Sequence, residues 1–558
     1  MQHDRNPVAC PSARLSNVVH PTSHTTRHRR FTRLVLALAI GVPAMAQAVA
    51  IGPMGPLERA HKAYELRVSA ARDNLHQPLV PHPTNADELR YPTRMNSYTK
   101  GLPHDNLGIV DPAAYQALIK ALRSGRDTDF EAIPQGVANG AKQRSPQSAY
   151  AFHFEGRDSH AFTMSPAPAF HSPWQASDAM EVMWRALTRD VPFIEFESNG
   201  LISEAVTDLK RHTDYRGPRD ATGITSGTLF RGIGVGETTG PYISQFLLQQ
   251  VPYGATRIDQ KYRVQVPGSD HLTQYSDWLN VQRGGTASTS AVFDPTPRYI
   301  HNGRALAEYV LRDFIDQPYS NAALILGGYG SGALSDSNPY KFSTTQADGP
   351  LFSVNHALDM LTRVAMSSQS VGWFQKWLVH RRARPEVFFG RVHNHMTGQA
   401  SYPLHPEVLA SAALPKVHAK YGTYLLPSAG ASGSPLHPSY PAGHATMAGA
   451  AVTVLKAFFK GDYVLPSPKQ ASADGLSLVD YTGPALTVEG ELNKLASNIS
   501  LGRDTAGVHY RSDGDLGILL GEELAISVLQ ELVNGYNENV SFSFNRFDGT
   551  PVTISKQN

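Results

Sequence analysis

The chain has 558 residues, enough to bury a large core, and 50 Lys and Arg against 48 Asp and Glu leave a formal charge of +2. That balance argues against a dedicated nucleic-acid binder, and 22 Phe, 23 Tyr and 5 Trp are too much aromatic surface for a disordered chain. The single cysteine, Cys10, excludes an internal disulfide and a Cys-rich zinc site, while 46 Gly and 39 Pro point to a loop-rich globule.

In chain order, RHRRFTR (27–33) precedes the apolar LVLALAIGVPAMAQAVA (34–50), with small residues at Ala46-Gln47-Ala48 and Ala48-Val49-Ala50. A cationic stretch, an apolar run and a small-residue cleavage site make a secretory signal peptide, and Arg29-Arg30-Phe31 partly matches a twin-arginine signal. Pro43 interrupts the run, which is short for a bilayer span; a short membrane anchor is the competing reading. The expectation is an exported protein, periplasmic or extracellular, with no membrane attachment once the leader is removed. Residues 56–74 read as a helix and 133–148 as a loop. Met180, Met183, Trp184 and Leu187 share a helical face, with Ser177-Asp178 as its expected N-cap. Residues 303–316 place Leu306, Tyr309, Val310 and Phe314 on one side of a helix. Residues 355–380, 444–460 and 515–535 are further helices, and VSFSFNRF (540–547) reads as a hairpin arm. The predicted fold is mainly α, a helical-bundle core with long loops. The predicted organisation is a signal peptide over 1–50, a helical and loop region over 51–150 that packs on the core, and the helical-bundle domain over 151–558.

Several motifs carry little weight. Gly232-Ile233-Gly234-Val235-Gly236 and Gly327-Gly328-Tyr329-Gly330 lack the strand and helix that a dinucleotide loop requires. His393-Asn394-His395 is too short to mean anything alone, and no EF-hand-like loop marks a calcium site.

Three segments each supply what an oxyanion pocket needs. Lys376 to Pro385 (KWLVHRRARP) is a cationic helix end; alone it reads as charge complementing the helix dipole. His437 to His444 (HPSYPAGH) opens an Ala-rich helix, whose first N–H groups are free to bind an anion. Asn498 to Asp513 contributes Arg503 and His509 ahead of the last long helix. Together, Lys376, Arg384 and Arg503 can surround one tetrahedral or trigonal-bipyramidal oxyanion with point charge and bidentate forks. His509 can attack or ligate its central atom, and His444 can move protons on the other side.

The order K-x7-RP, PxGH, GR-x3-G-x-H-x3-D resembles the superfamily of vanadium-dependent haloperoxidases and type 2 phosphatidic acid phosphatases. The wording KWLVHRRARPE, HPSYPAGHA and LGRDTAGVHYRSDG, with LFRGIGVGETTGPYISQFLLQQVPYG (229–254), more specifically resembles the algal and cyanobacterial bromoperoxidase branch, over roughly residues 55–535. The resemblance implies a helical-bundle catalytic domain with a vanadate cofactor. Hydrogen peroxide would oxidise bromide or iodide to hypohalous acid, which halogenates small organic acceptors. It further implies His509 as the axial ligand of vanadium, and Lys376, Arg384, Arg503 and the Gly443 N–H as holders of the oxygens. His444 becomes the acid–base residue, Lys376 also polarises bound peroxide, and His437 is an additional active-site histidine that favours bromide over chloride. Trp373 and Trp377 flank Lys376, and Trp373 is expected on the pocket wall. A homo-oligomer, dimeric or larger, is expected. Ala442 stands where most relatives carry a serine, a lost hydrogen bond of about 1.5–3 kcal/mol to a charged oxygen. The rival reading is a secreted acid phosphatase working through a phosphohistidine at His509; a non-catalytic binding protein is a third.

Overall fold

The computed structural model describes residues 52–556; the predicted signal peptide and Cys10 lie outside the described residues. The chain divides into two units, before and from Ala63. In the first, the described residues 52–62 carry the start of helix α1 (Pro56–Leu75). The second, residues 63–556 of the description, is a helical bundle and its loops.

Its principal helices are α2 (Pro112–Ser124), α3 (Pro173–Leu187), α4 (Gly303–Arg312), α5 (Gln317–Gly328), α6 (Val354–Trp373), α7 (Pro385–Met396), α8 (Gly443–Phe458), α9 (Val488–Thr505) and α10 (Arg511–Leu532). Sheet structure among the described residues is three two-stranded antiparallel ribbons. The last pairs β1 (Ser541–Asn545) with β2 (Pro551–Ser555), Ser543 opposite Thr553, which is the hairpin expected near the end of the chain. The predicted loop over 133–148 holds no α-helix or strand, and a short 3-10 turn begins at Pro146.

The core is organised around α8, which packs on α10, α6 and α9. Its sequence, GHATMAGAAVTVLKAF, is small and apolar all round, as a fully enclosed helix must be. Every residue of α8 is buried except His444. Close approach depends on two glycines: a Cβ on Gly449 would lie 1.9 Å from the Ile518 carbonyl oxygen, and one on Gly521 1.9 Å from that of Thr446. Helices α8 and α10 therefore touch backbone to backbone.

Three sequence expectations are corrected. Helix α3 is capped by Ser172, whose side chain accepts from the Gln175 N–H, with Pro173 in the first turn. Ser177 and Asp178 are buried in mid-helix. Helix α4 ends at Arg312, because Asp313 turns extended (φ −60°, ψ 150°) to reach His444. Phe314, expected on the helical face shared by Leu306, Tyr309 and Val310, is consequently 78% exposed. Finally, the long helix α6 does not stay α-helical to His380: Phe374–His380 is a π-helical segment, with i→i+5 hydrogen bonding.

The glycine motifs are architectural. Gly232 and Gly234 lie against the Glu237 carboxyl, and Gly327-Gly328 end α5. His393 and His395 accept from the backbone N–H groups of Tyr424 and Tyr402.

Candidate active site

All seven predicted site residues come together at the mouth of α8. Lys376 is placed by the π segment, whose final residue, His380, packs edge-on against Tyr440 (4.7 Å between ring centroids). Lys376 is wholly buried, and its ammonium donates to the carbonyls of Pro438 (2.9 Å), Ser439 (2.8 Å) and Pro441. An ammonium has three N–H bonds, so Lys376 braces the 437–444 loop and offers the pocket its charge. A direct bond to a ligand requires one carbonyl to be given up.

Beyond the π segment the chain turns at Arg381 (φ 42°) and runs extended into α7. The three arginines that look alike in sequence then part company. Arg381 pairs with Glu88 (2.8 Å), Arg382 reaches Asp513 (2.7 Å), and Arg384 enters the pocket. Arg384 donates through Nε to the His437 carbonyl (3.0 Å) and through Nη1 to the Val508 carbonyl (2.7 Å) and His509 Nε2 (2.8 Å). Its Nη2 donates to His437 Nδ1 (3.0 Å). A guanidinium only donates, so His509 turns its Nε2 lone pair toward it, while His437 Nδ1 stands between Arg384 Nη2 and the Pro438 carbonyl (3.2 Å).

Arg503, in the last turn of α9, donates from Nη1 to the Val310 carbonyl at the end of α4 (2.5 Å). Its buried Nε has no partner, and among the described residues no other acceptor engages its fork. None of Lys376, Arg384 and Arg503 forms an ion pair within 4.0 Å among the described residues. Several buried cations elsewhere are matched, Lys100 with Glu386 (2.7 Å), Arg185 with Glu181 (2.7 Å) and Arg304 with Asp190 (2.5 Å), while Arg391 and Lys456 are held singly by backbone carbonyls rather than gathered as a trio. Burial, and then the charge of Arg384, hold the Lys376 ammonium well below its usual range. Burial pushes Arg384 and Arg503 down to about 10 each. Burial, followed by Arg384 and Lys376, holds His437 and His509 well below the usual imidazole range. A site this positive, with its positive forms disfavoured, is built to receive an anion.

His509 Nδ1 lies 3.0 Å from Asp513 Oδ2, leaving Nε2 to face the cations. His444, whose side chain is 21% exposed, sets its Nε2 3.1 Å from Asp313 Oδ1. Burial lowers the His444 pKa, and Asp313 works against that. Gly443 opens α8 where backbone N–H groups lack helical acceptors. A Cβ there would come 3.0 Å from the Trp373 ring and 3.2 Å from Gln369 Oε1, so glycine keeps the entrance clear. Trp373 lines the wall against His437 (centroids 4.7 Å), anchored by its indole N–H on the Arg144 carbonyl (3.0 Å). Trp377 turns away into a separate apolar cluster with Tyr98, Tyr115 and Leu118. Ala442 is the N-cap of α8 and supplies no side-chain cap.

Sequence reasoning missed Asp313, Ser439 and Arg382. Asp313 lay inside a helix predicted four residues too long. Ser439 Oγ donates to Asp513 Oδ2 (2.5 Å) from the middle of the HPSYPAGH motif, and its position there was the available signal.

A family model described as the VCPO second helical-bundle domain matches residues 360–538, from α6 through α10, and defines the class of bundle. The chain is 34% identical over 525 residues to the vanadium-dependent bromoperoxidase of Ascophyllum nodosum, covering 90% of this chain and 93% of that one. It is 32% identical over 592 residues to the vanadium-dependent bromoperoxidase of Corallina pilulifera (89% and 98% covered). The fold superposes on the homohexameric second vanadate-dependent bromoperoxidase of A. nodosum with a TM-score of 0.88, at 30% identity over 95% of each chain. The chain belongs to the algal-type family of vanadium-dependent bromoperoxidases.

Proposed function

We propose that the pocket holds vanadate and that the enzyme uses hydrogen peroxide to oxidise bromide, and iodide, to hypohalous acid that halogenates small organic acceptors. The observation that carries this reading is the trio of buried cations without carboxylate partners, with the unused Arg503 fork and the His509 Nε2 lone pair turned toward them. That donor set fits an oxyanion of a metal able to take an imidazole ligand. Arg384, Arg503 and the Gly443 N–H would hold its oxygens, Lys376 would add charge, and His509 would ligate through Nε2. When bound, vanadate supplies a vanadium(V) Lewis acid that activates peroxide without a change of metal oxidation state.

The chain's own residues supply the rest. His444, kept largely neutral by burial and aimed by Asp313, accepts the peroxide proton at the pocket mouth. Arg503 offers Nε and Nη2 on a guanidinium already held in place by the Val310 carbonyl, so little order is lost there when an anion enters, whereas Arg384 would first have to release His509 Nε2. His437 and Trp373 form the wall past which halide would approach. The protein acts after export by the residue 27–50 segment and as a homo-oligomer, in keeping with the homohexameric relative.

The test is to add orthovanadate to apo protein and follow bromination of a phenolic dye with peroxide, comparing bromide, iodide and chloride. Vanadate-dependent bromination lost in His509→Ala supports the proposal. Absence of bromination, with a phosphatase activity that orthovanadate inhibits, overturns it in favour of the phosphohistidine reading. Light scattering of the purified enzyme checks the assembly, and N-terminal sequencing of exported protein checks cleavage near Ala48 or Ala50.

A further inference from the structure

Arg382 stands between the surface Arg381 and the pocket Arg384, yet it touches neither solvent nor the oxyanion space. It is 2% exposed and lies 4.1 Å over the Tyr510 ring. Its Nη1 donates to Asp513 Oδ1 (2.7 Å) and Ser512 Oγ (2.8 Å), and its Nη2 to Gln175 Oε1 (2.6 Å). Asp178 Oδ2 is 3.7 Å from Nη2 and accepts from Ser512 Oγ. One guanidinium thus ties the start of α10 to α3.

What Asp513 does with the rest of its carboxylate gives Arg382 its meaning. Oδ2 accepts from Ser439 Oγ (2.5 Å) and the Tyr510 N–H (3.1 Å), and meets His509 Nδ1 at 3.0 Å. A carboxylate only accepts, as it does from Arg382, Ser439 and Tyr510, so the His509 Nδ1 that meets it is a donor. Its proton sits on Nδ1, and Nε2 carries the lone pair that faces Arg384. We infer that Arg382 is a positioning residue for His509: by locking the Asp513 carboxylate it fixes the tautomer and plane of the imidazole, so that Nε2 presents its lone pair to the pocket. Two arginines two residues apart on one extended stretch therefore bear on the same imidazole: Arg384 Nη1 lies nearer Nε2 (2.8 Å) than Nδ1 (3.3 Å), and Arg382 acts through Asp513 on Nδ1. Outer groups that orient a ligating histidine commonly change affinity 10–100-fold when removed.

The inference rests on the oxyanion reading, and its first readout needs no bound ligand. In apo protein carrying 15N-labelled histidine, the His509 signal is assigned by its absence in His509→Ala, and orthovanadate binding is measured by calorimetry. Wild type is expected as the Nδ1–H tautomer. Arg382→Met is expected to mix tautomers and raise the orthovanadate Kd about 10–100-fold, and Arg382→Lys to stay within a few fold of wild type. If Arg382→Met does not fold, Arg382→Gln, which removes the charge but keeps a donor, is read the same way. A folded neutral variant with the wild-type tautomer and a Kd within twofold overturns the inference, provided that His509→Ala abolishes binding. Orthovanadate binding unchanged in His509→Ala overturns the oxyanion reading itself, whatever the tautomer of the Arg382 variants.

Discussion

Replacing Arg503 with methionine separates the anion site from fold stability. Burial pushes this guanidinium down to about 10. Against a usual value above ~12, that is on the order of 3 kcal/mol held against the charged form, at ~1.4 kcal/mol per tenfold. At pH 7 the group is charged in both folded and unfolded chains, so the penalty is present in full and is relieved only as pH rises past about 10. Methionine removes it and leaves the Val310 carbonyl unpaired, a cost of about 1–3 kcal/mol. The two nearly cancel. With ~2.1 cal/mol/K per residue over about 500 residues, 1 kcal/mol is worth about 1 °C, so the apo variant is expected to melt within about 2 °C of wild type. Binding responds differently, because an oxyanion loses a fork of two charge-assisted bonds at about 1.5–3 kcal/mol each, and Kd rises by roughly 100-fold or more. Orthovanadate at 100 times the wild-type Kd adds about 2.7 kcal/mol, a shift of about 2–3 °C, whereas the variant gains less than about 0.5 °C. Calorimetric melts with and without orthovanadate read both quantities. An apo Tm lowered by more than about 5 °C, or a full ligand shift in the variant, would refute the argument.

Three further outcomes follow from the same geometry. Asp313→Asn removes the charge that opposes the burial-lowered pKa of His444, so the imidazole stays neutral to lower pH; the acid limb of kcat/KM for peroxide is expected to move to lower pH, and an unmoved limb argues against His444 as proton acceptor. Ala442→Ser places a hydroxyl at the N-cap of α8, expected to add about 0.5–2 kcal/mol to apo stability and to tighten orthovanadate, by melting and calorimetry. Gly521→Ala drives a methyl into the Thr446 carbonyl and is expected to lower stability by about 3 kcal/mol or more, seen as loss of soluble protein or a Tm drop of at least about 3 °C.

The long helices were legible because their apolar periodicity is decided locally. Predicted bounds for 444–460 and 515–535 lie within four residues of α8 (Gly443–Phe458) and α10 (Arg511–Leu532). The site was legible for a different reason: three separated motifs each carried a cation, a histidine or a free helix end. What stayed hidden was fixed by partners remote in sequence. Nothing near Asp313 marks the end of α4; its partner His444 is 131 residues away. Ser177-Asp178 has the composition of an N-cap, yet Asp178 is held in mid-helix by Ser512 and Arg382. Arg381, Arg382 and Arg384 differ only through the turn at Arg381 and the extended chain after it, which sort them among Glu88, Asp513 and the pocket.

The π segment has a consequence for how this enzyme can change. An α-helix closes on the fourth residue and turns about 100° per residue, whereas the wider turn over Phe374–His380 accommodates a residue beyond that rhythm. Deleting one residue from it would restore the tighter ladder, yet would swing everything downstream by about 100°. Lys376 would lose its grip on the Pro438, Ser439 and Pro441 carbonyls, or His380 its seat on Tyr440. Along this helix, regularity and a charged pocket are alternatives, and drift in its sequence is confined to substitution.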